Sequence, residues 1–185
     1  MVRYILHSPG LASCRRRPLN SNVRAHTRPA VERIEPLNHQ EPSTAAQIHA
    51  VLLLAYAQEA NLLQVLHFAP LDRTPEDIRT SREYWLGALQ GNEIVGSLSL
   101  GPDDEPDQIS IASLVVHPGY QRQGIGRSLI AEALRRGTGM TFSVSTGVKN
   151  KPALALYEQF GFVAYRRGAI GPETLELVKL RASAP

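Results

Sequence analysis

The chain holds 185 residues, 43% hydrophobic and 20% charged, with 14 Gly and 13 Pro, which is the balance of one globular domain and excludes collagen-like or wholly disordered classes. Its longest apolar run, Val51 to Ala57, stops at Gln58, far short of the roughly 18 residues a membrane-spanning helix needs. The single cysteine, Cys14, excludes an intrachain disulfide framework and, with only scattered histidines, a structural zinc set.

The formal net charge of +3 hides an asymmetry. Residues 1–31 carry six arginines (Arg3, Arg15, Arg16, Arg17, Arg24 and Arg28) and no acid, whereas residues 32–185 carry 14 Lys or Arg against 17 Asp or Glu. A slightly acidic body argues against nucleic-acid binding. The expectation is therefore no nucleic-acid partner, no membrane partner and, from the cysteine usage, a cytoplasmic location.

Residues 1–30 mix turn formers and arginines without a period. They are expected to form a disordered extension, with a transit peptide or a basic interaction arm as alternative readings. A single domain is expected over 31–181. A short strand over Val31 to Ile34 ends by Pro36, and Ser43 or Thr44 is placed to cap a helix to about Ala60 with Ile48, Leu52 and Ala55 or Tyr56 as its apolar stripe. Thr74 before Pro75 reads as cap and first turn of a second helix, to about Arg82. The link from Asn61 to Arg73 is apolar for a loop.

Tyr84 to Leu89 and Glu93 to Leu100, separated by the turn signature QGN, predict a hairpin. The acidic loop GPDDEPDQ leads to a strand over Ile109 to Val116, apolar or small on both faces and so central in a sheet. A helix of about 12 residues follows, from Ile125 to near Gly137. Then come a strand from Thr141 to Ser145, a helix from about Pro152 to Phe160 stopped by Gly161, and strands over Phe162 to Arg166 and Leu175 to Leu180. A mixed sheet with helices on both faces buries these stripes.

The run LVVHPGYQRQGIGRSLIAEAL, Leu114 to Leu134, carries the chemistry. A central strand ends, Pro118 to Tyr120 turn the chain, and Gly124 and Gly126 fall where a helix begins. Helix-start amides unobstructed by Cβ atoms, together with the dipole and the charges of Arg122 and Arg127, suit a pyrophosphate. A Walker loop would need Lys and then Ser or Thr after its last glycine, and a dinucleotide fingerprint would need GxGxxG; this run has neither. The plain alternative is a turn with close helix packing. His117, at the end of the strand, is either a proton relay or a turn residue.

On these residues the chain resembles the GCN5-related N-acetyltransferase (GNAT) superfamily. Val116, Pro118, Gln121, Gly124 and Gly126 match its acyl-CoA signature, V-x-P followed by [QR]-x-x-G-x-[GA]. Asn150, Ala153, Tyr157, Gly161 and Phe162 match a second signature about 24 residues on. The resemblance covers residues 31–180. It implies a three-layer α/β fold: a mixed, mostly antiparallel twisted sheet of about six or seven strands flanked by about four helices. It also implies acetyl-CoA as acyl donor and a small-molecule or peptide amine as acceptor, attacking directly through a tetrahedral intermediate, in a monomer or homodimer.

The resemblance further implies roles. Backbone amides of Gln123, Gly124, Ile125, Gly126 and Arg127 would take the pyrophosphate, with Gln121 and Arg122 beside it. Leu114, Val115 and Val116 would bind the pantetheine arm, and Asn150 would contact that arm or order the next helix. Tyr157 would donate a proton to the leaving thiolate. The sequence leaves the base open; Glu83 and Asp107 are candidates, and no metal is expected. The region Ser43 to Arg82, with Tyr56, Glu59, Leu62, Leu63, Leu66, Phe68, Asp72, Glu76 and Asp77, would shape the acceptor site. Its acids favour a cationic amine, and its leucines and Phe68 equally an apolar acceptor or a dimer contact. A CoA-binding module without transferase activity is the alternative function.

Overall fold

The computed structural model describes residues 33–171 and 174–184; the expectations for residues 1–30 and for a strand beginning at Val31 lie outside them. Seven strands form one sheet in the order β1-β2-β3-β4-β5-β7-β6. They are β1 (Arg33–Pro36), β2 (Tyr84–Gln90), β3 (Glu93–Pro102), β4 (Gln108–Val116), β5 (Thr141–Gly147), β6 (Val163–Ile170) and β7 (Leu175–Ser183). Every neighbouring pair is antiparallel except β4 with β5. Four helices flank the sheet: α1 (Pro42–Leu63), α2 (Pro75–Thr80), α3 (Ile125–Arg136) and α4 (Lys151–Glu158).

The sheet is covered on both faces. On one, Ile48 and Leu52 of α1 and Ile78 of α2 close over Trp85 and Val115. On the other, Leu129, Ile130 and Ala133 of α3 pack with Leu98, Phe142 and Val144. Leu52, Leu98, Leu129 and Ile130 are at most 2% exposed, and each such side chain contributes about 1.5–3 kcal/mol through burial.

The helix boundaries follow local chemistry. Thr74 forms the expected cap of α2 as a full capping box: its hydroxyl accepts from the Asp77 amide (3.2 Å) and its own amide donates to the Asp77 carboxylate (2.8 Å). Neither Ser43 nor Thr44 caps α1. The helix starts two positions earlier than a Ser43 cap would give, with Glu41 flanking it and Pro42 in the first turn, where the missing N–H costs nothing. It also runs a turn beyond Ala60 because Leu63 continues the buried stripe, and it ends where Gln64 turns left-handed (φ 60°).

Two irregularities of β4 build the site. Between the pairs Ser99↔Ser113 and Leu100↔Ile111 the register slips, leaving Ala112 as an extra, bulged residue. Pairing of β4 with β5 stops at Ile111↔Val144, although both strands continue. The two strands therefore part, and an opening forms between Ala112–Val116 and Ser145–Gly147.

Candidate active site

The loop from β4 to α3 is held from within. His117 Nδ1 accepts a hydrogen bond from the Gly119 amide (3.0 Å), and its ring meets Tyr120 edge-on at 5.4 Å, which makes it a turn residue. Gln121 folds back: its Nε2 donates to the Val116 carbonyl (3.2 Å) and to Oε1 of Gln58 on α1 (2.7 Å), tying the loop to the opposite wall. Arg122 and Gly124 are left-handed (φ 61° and 83°), and Gln123 is exposed. The first turn of α3 closes with Ser128 N–H on the Gly124 carbonyl, so the amides of Ile125, Gly126 and Arg127 have no partner inside the helix.

The two glycines answer to different needs. A Cβ at Gly124 would meet nothing within 4 Å, so this residue serves its backbone angle and leaves the amides open. A Cβ at Gly126 would press on Leu156 at 3.2 Å, so this residue also lets α3 approach α4. Arg127 donates to Gln159 (2.7 Å) and lies 5.5 Å over the Phe160 ring.

From this loop a groove of about 1060 Å³ runs between α1 and α4, past Leu114, Val115 and Val116. A smaller cavity of about 260 Å³ lies beyond, walled by the end of α1, Phe68 to Pro70, β5, Ile170 of β6 with Gly171 after it, and Leu175 and Leu177 of β7. Five residues line both: Glu59, Leu114, Asn150, Ala153 and Tyr157. The two spaces meet at the parting of β4 and β5.

The polar groups at that junction are unusual for a protein interior. Tyr157 is 5% exposed, and among the described residues its hydroxyl has no hydrogen-bond partner. Burial, then the nearby Glu59 and Tyr56, push its phenol above the ordinary range. Burial likewise raises the Glu59 carboxyl, opposed by the Asn150 amide, whose Nδ2 donates to Glu59 Oε1 (2.9 Å). Asn150 also caps α4, its Oδ1 accepting from the Ala153 amide (3.3 Å). Tyr56, edge-on to Phe68 at 5.7 Å, is raised by burial and then by Glu59.

Of the residues expected at the site, Leu114, Val115, Val116, Gln121, Arg122, Gly124, Ile125, Gly126, Arg127, Asn150 and Tyr157 line the groove. The two acids named as candidate bases do not come to the junction. Glu83 is paired with Arg73 (3.1 Å) outside both cavities. Asp107 sits in the left-handed turn entering β4, at the end of the strand away from Leu114. Glu59 occupies the place instead. It follows Leu52 and Tyr56 on one helical stripe, an acid where the period calls for an apolar residue. Among the described residues no group of three metal-ligating side chains forms, and no helix is long and apolar enough to cross a membrane.

A mixed sheet parting at β4 and β5, with open helix-start amides after the parting, is the layout expected of the GNAT class from the sequence resemblance. The profile of the acetyltransferase (GNAT) family matches residues 51–162, and the chain belongs to that family. It is 32% identical over 130 residues to the UPF0157 protein YqkA of Bacillus subtilis, covering 70% of this chain and 37% of YqkA. It is 31% identical over 88 residues to the N-alpha-acetyltransferase RimI of Mycobacterium tuberculosis, covering 46% of this chain and 56% of that one. The chain thus spans less than two thirds of either relative. In fold it is similar to yncA of Salmonella typhimurium, a putative acetyltransferase solved with acetyl-CoA (TM-score 0.63, 16% identity, 83% of this chain and 94% of that one).

The residues present fit acetyl-CoA. Unpartnered amides of α3 beside the space at Gly124 suit a pyrophosphate, the free edge of β4 suits an amide-bearing arm, and Tyr157 lines the groove where it meets the smaller cavity.

Proposed function

We propose that the protein moves an acetyl group from acetyl-CoA to a primary amine, with Tyr157 as general acid and Glu59 as general base. The observation that carries this reading is the meeting of the groove and the smaller cavity at these two side chains. Bound acetyl-CoA supplies an activated carbonyl on a thiol leaving group. The amides from Gln123 to Arg127, with Arg122, hold its diphosphate, and the free edge of β4 over Leu114 to Val116 orients its arm. Glu59, held by Asn150, takes the proton that an attacking ammonium must lose. Tyr157 gives a proton at the sulfur position, and its raised pKa keeps the hydroxyl protonated across the working pH range. The likeness to an N-alpha-acetyltransferase supports a peptide amine within the acceptor range.

The test is the pH profile of kcat/KM with any accepted amine. Glu59 acts when deprotonated and its carboxyl is raised, so the rate rises with pH through a midpoint above the ordinary glutamate value of about 4.3. The substitution Glu59→Gln should cost about 10²- to 10⁴-fold and abolish that limb. An unchanged limb would remove Glu59 from the proton path.

A further inference from the structure

We infer that, given the transferase reading above, the acceptor is a primary amine borne on a compact, uncharged, mostly apolar body, and that the smaller cavity is built to reject free amino acids and polyamines. The described residues lining that cavity are apolar apart from serine and threonine hydroxyls, two tyrosines, Asn150, His67 and Glu59. No lysine or arginine is among them. The guanidinium of Arg73, whose charge acts on Tyr56, is spent on Glu83 at 3.1 Å and stacks on Trp85 at 5.2 Å. His67 is at the exposed edge, its Nε2 3.5 Å from the Asp72 carboxylate.

Two acceptor classes fail on this lining. The carboxylate of a free amino acid would leave water for a space with no lysine or arginine among its described lining residues. A polyamine would bring a second ammonium, and Glu59 is the only carboxylate among the described lining residues. An amine on an aromatic or branched aliphatic body meets Leu63, Phe68, Val144 and Leu177 with its apolar part and Glu59 with its nitrogen. An N-terminal residue whose carboxyl is tied up as an amide satisfies the same chemistry.

The experiment uses the full chain and four amines with acetyl-CoA, following thiol release: phenylalaninamide, phenethylamine, phenylalanine and spermidine. The first two should exceed the last two in kcat/KM by about 30-fold or more, since a site without partners for a charge discriminates strongly against it. Calorimetric titration into protein saturated with CoA, where no reaction occurs, should show phenylalaninamide binding and phenylalanine not. Ala69→Arg puts a cation at the cavity edge and should narrow the gap between phenylalanine and its amide several-fold; a fixed ratio would count against the electrostatic account. If phenylalanine or spermidine equals the amide, the acceptor class is wrong while the transferase stands. If acetyl-CoA binds and none of the four is acetylated, both readings fall.

Discussion

Ser143 and Ser145 stand two residues apart on β5 and, by the pleat, share a face, yet they meet opposite surroundings. Ser143 is buried and donates to Asp103, which Lys179 of β7 reaches at 2.7 Å. Lys179 also bonds Asp104, and Arg166 of β6 closes the group through Asp104 (2.5 Å) and Glu105 (3.6 Å). Burial works against the Lys179 charge, but the two aspartates outweigh it and hold the proton above the ordinary lysine range. Ser145 instead opens into the smaller cavity, beside a carboxylate with one amide partner and a phenol with none. Where the strands stay paired, charges are matched within the fold; where they part, groups are left unmatched and so remain available to a substrate.

The largest test of this contrast lies at the paired end. Replacing Lys179 by Met strands Asp103, whose side chain is 1% exposed, and should cost about 3 kcal/mol in urea unfolding. Adding Asp103→Asn should recover about half of that. Lys179 has a raised folded pKa, so its contribution is complete below the unfolded value of about 10.4 and fades only as pH climbs through the folded one. The loss should therefore be flat from pH 7 to 9. A neutral Lys179→Met would mean that the ion group holds nothing together.

At the parted end, removing a group should change turnover and not stability. Tyr157→Phe should lower kcat by about tenfold to several hundredfold while shifting stability by less than about 1 kcal/mol, because the hydroxyl has no partner to lose. Equal kcat, with chemistry shown to limit the rate, would end the acid assignment. Gly124→Val should weaken CoA binding about tenfold in calorimetry by crowding the open amides at a left-handed position, and Gly126→Val should lower the melting temperature more, through Leu156. The smallest effect calibrates the rest. Ser97 is fully buried on β3 with an unpartnered hydroxyl, so Ser97→Ala should be neutral or stabilising by up to about 1 kcal/mol.

The element order was readable because helices and strands of this chain keep their periods, and the loop between β4 and α3 because its geometry demands particular residues, a glycine at φ 83° above all. Glu83 and Asp107 are candidate bases by their places near strand starts, and position along the chain does not tell which acid reaches the junction. Glu59 left a local trace, an acid in the stripe of Leu52 and Tyr56, but its burial depends on where β4 and β5 part. That parting, the bulge at Ala112 and the bond from Lys179 to Asp103 across 76 residues are tertiary events that no short window of sequence encodes.

The bulge at Ala112 puts the two halves of β4 out of phase. Before it, odd-numbered Ile109 and Ile111 look toward α3; after it, odd-numbered Ser113 and Val115 look toward α1, while Leu114 and Val116 take the α3 side. Because side chains and amides alternate in the same rhythm, deleting Ala112 would let Ser113 follow Ile111 in plain alternation, so every downstream residue would keep the face it now has and only the kink and extra twist of the bulge would be lost. Substituting Val for Ile in this strand changes a volume by one methylene. A deletion past the bulge would instead invert every residue after it, so the count of residues constrains β4 more tightly than their type everywhere except at Ala112.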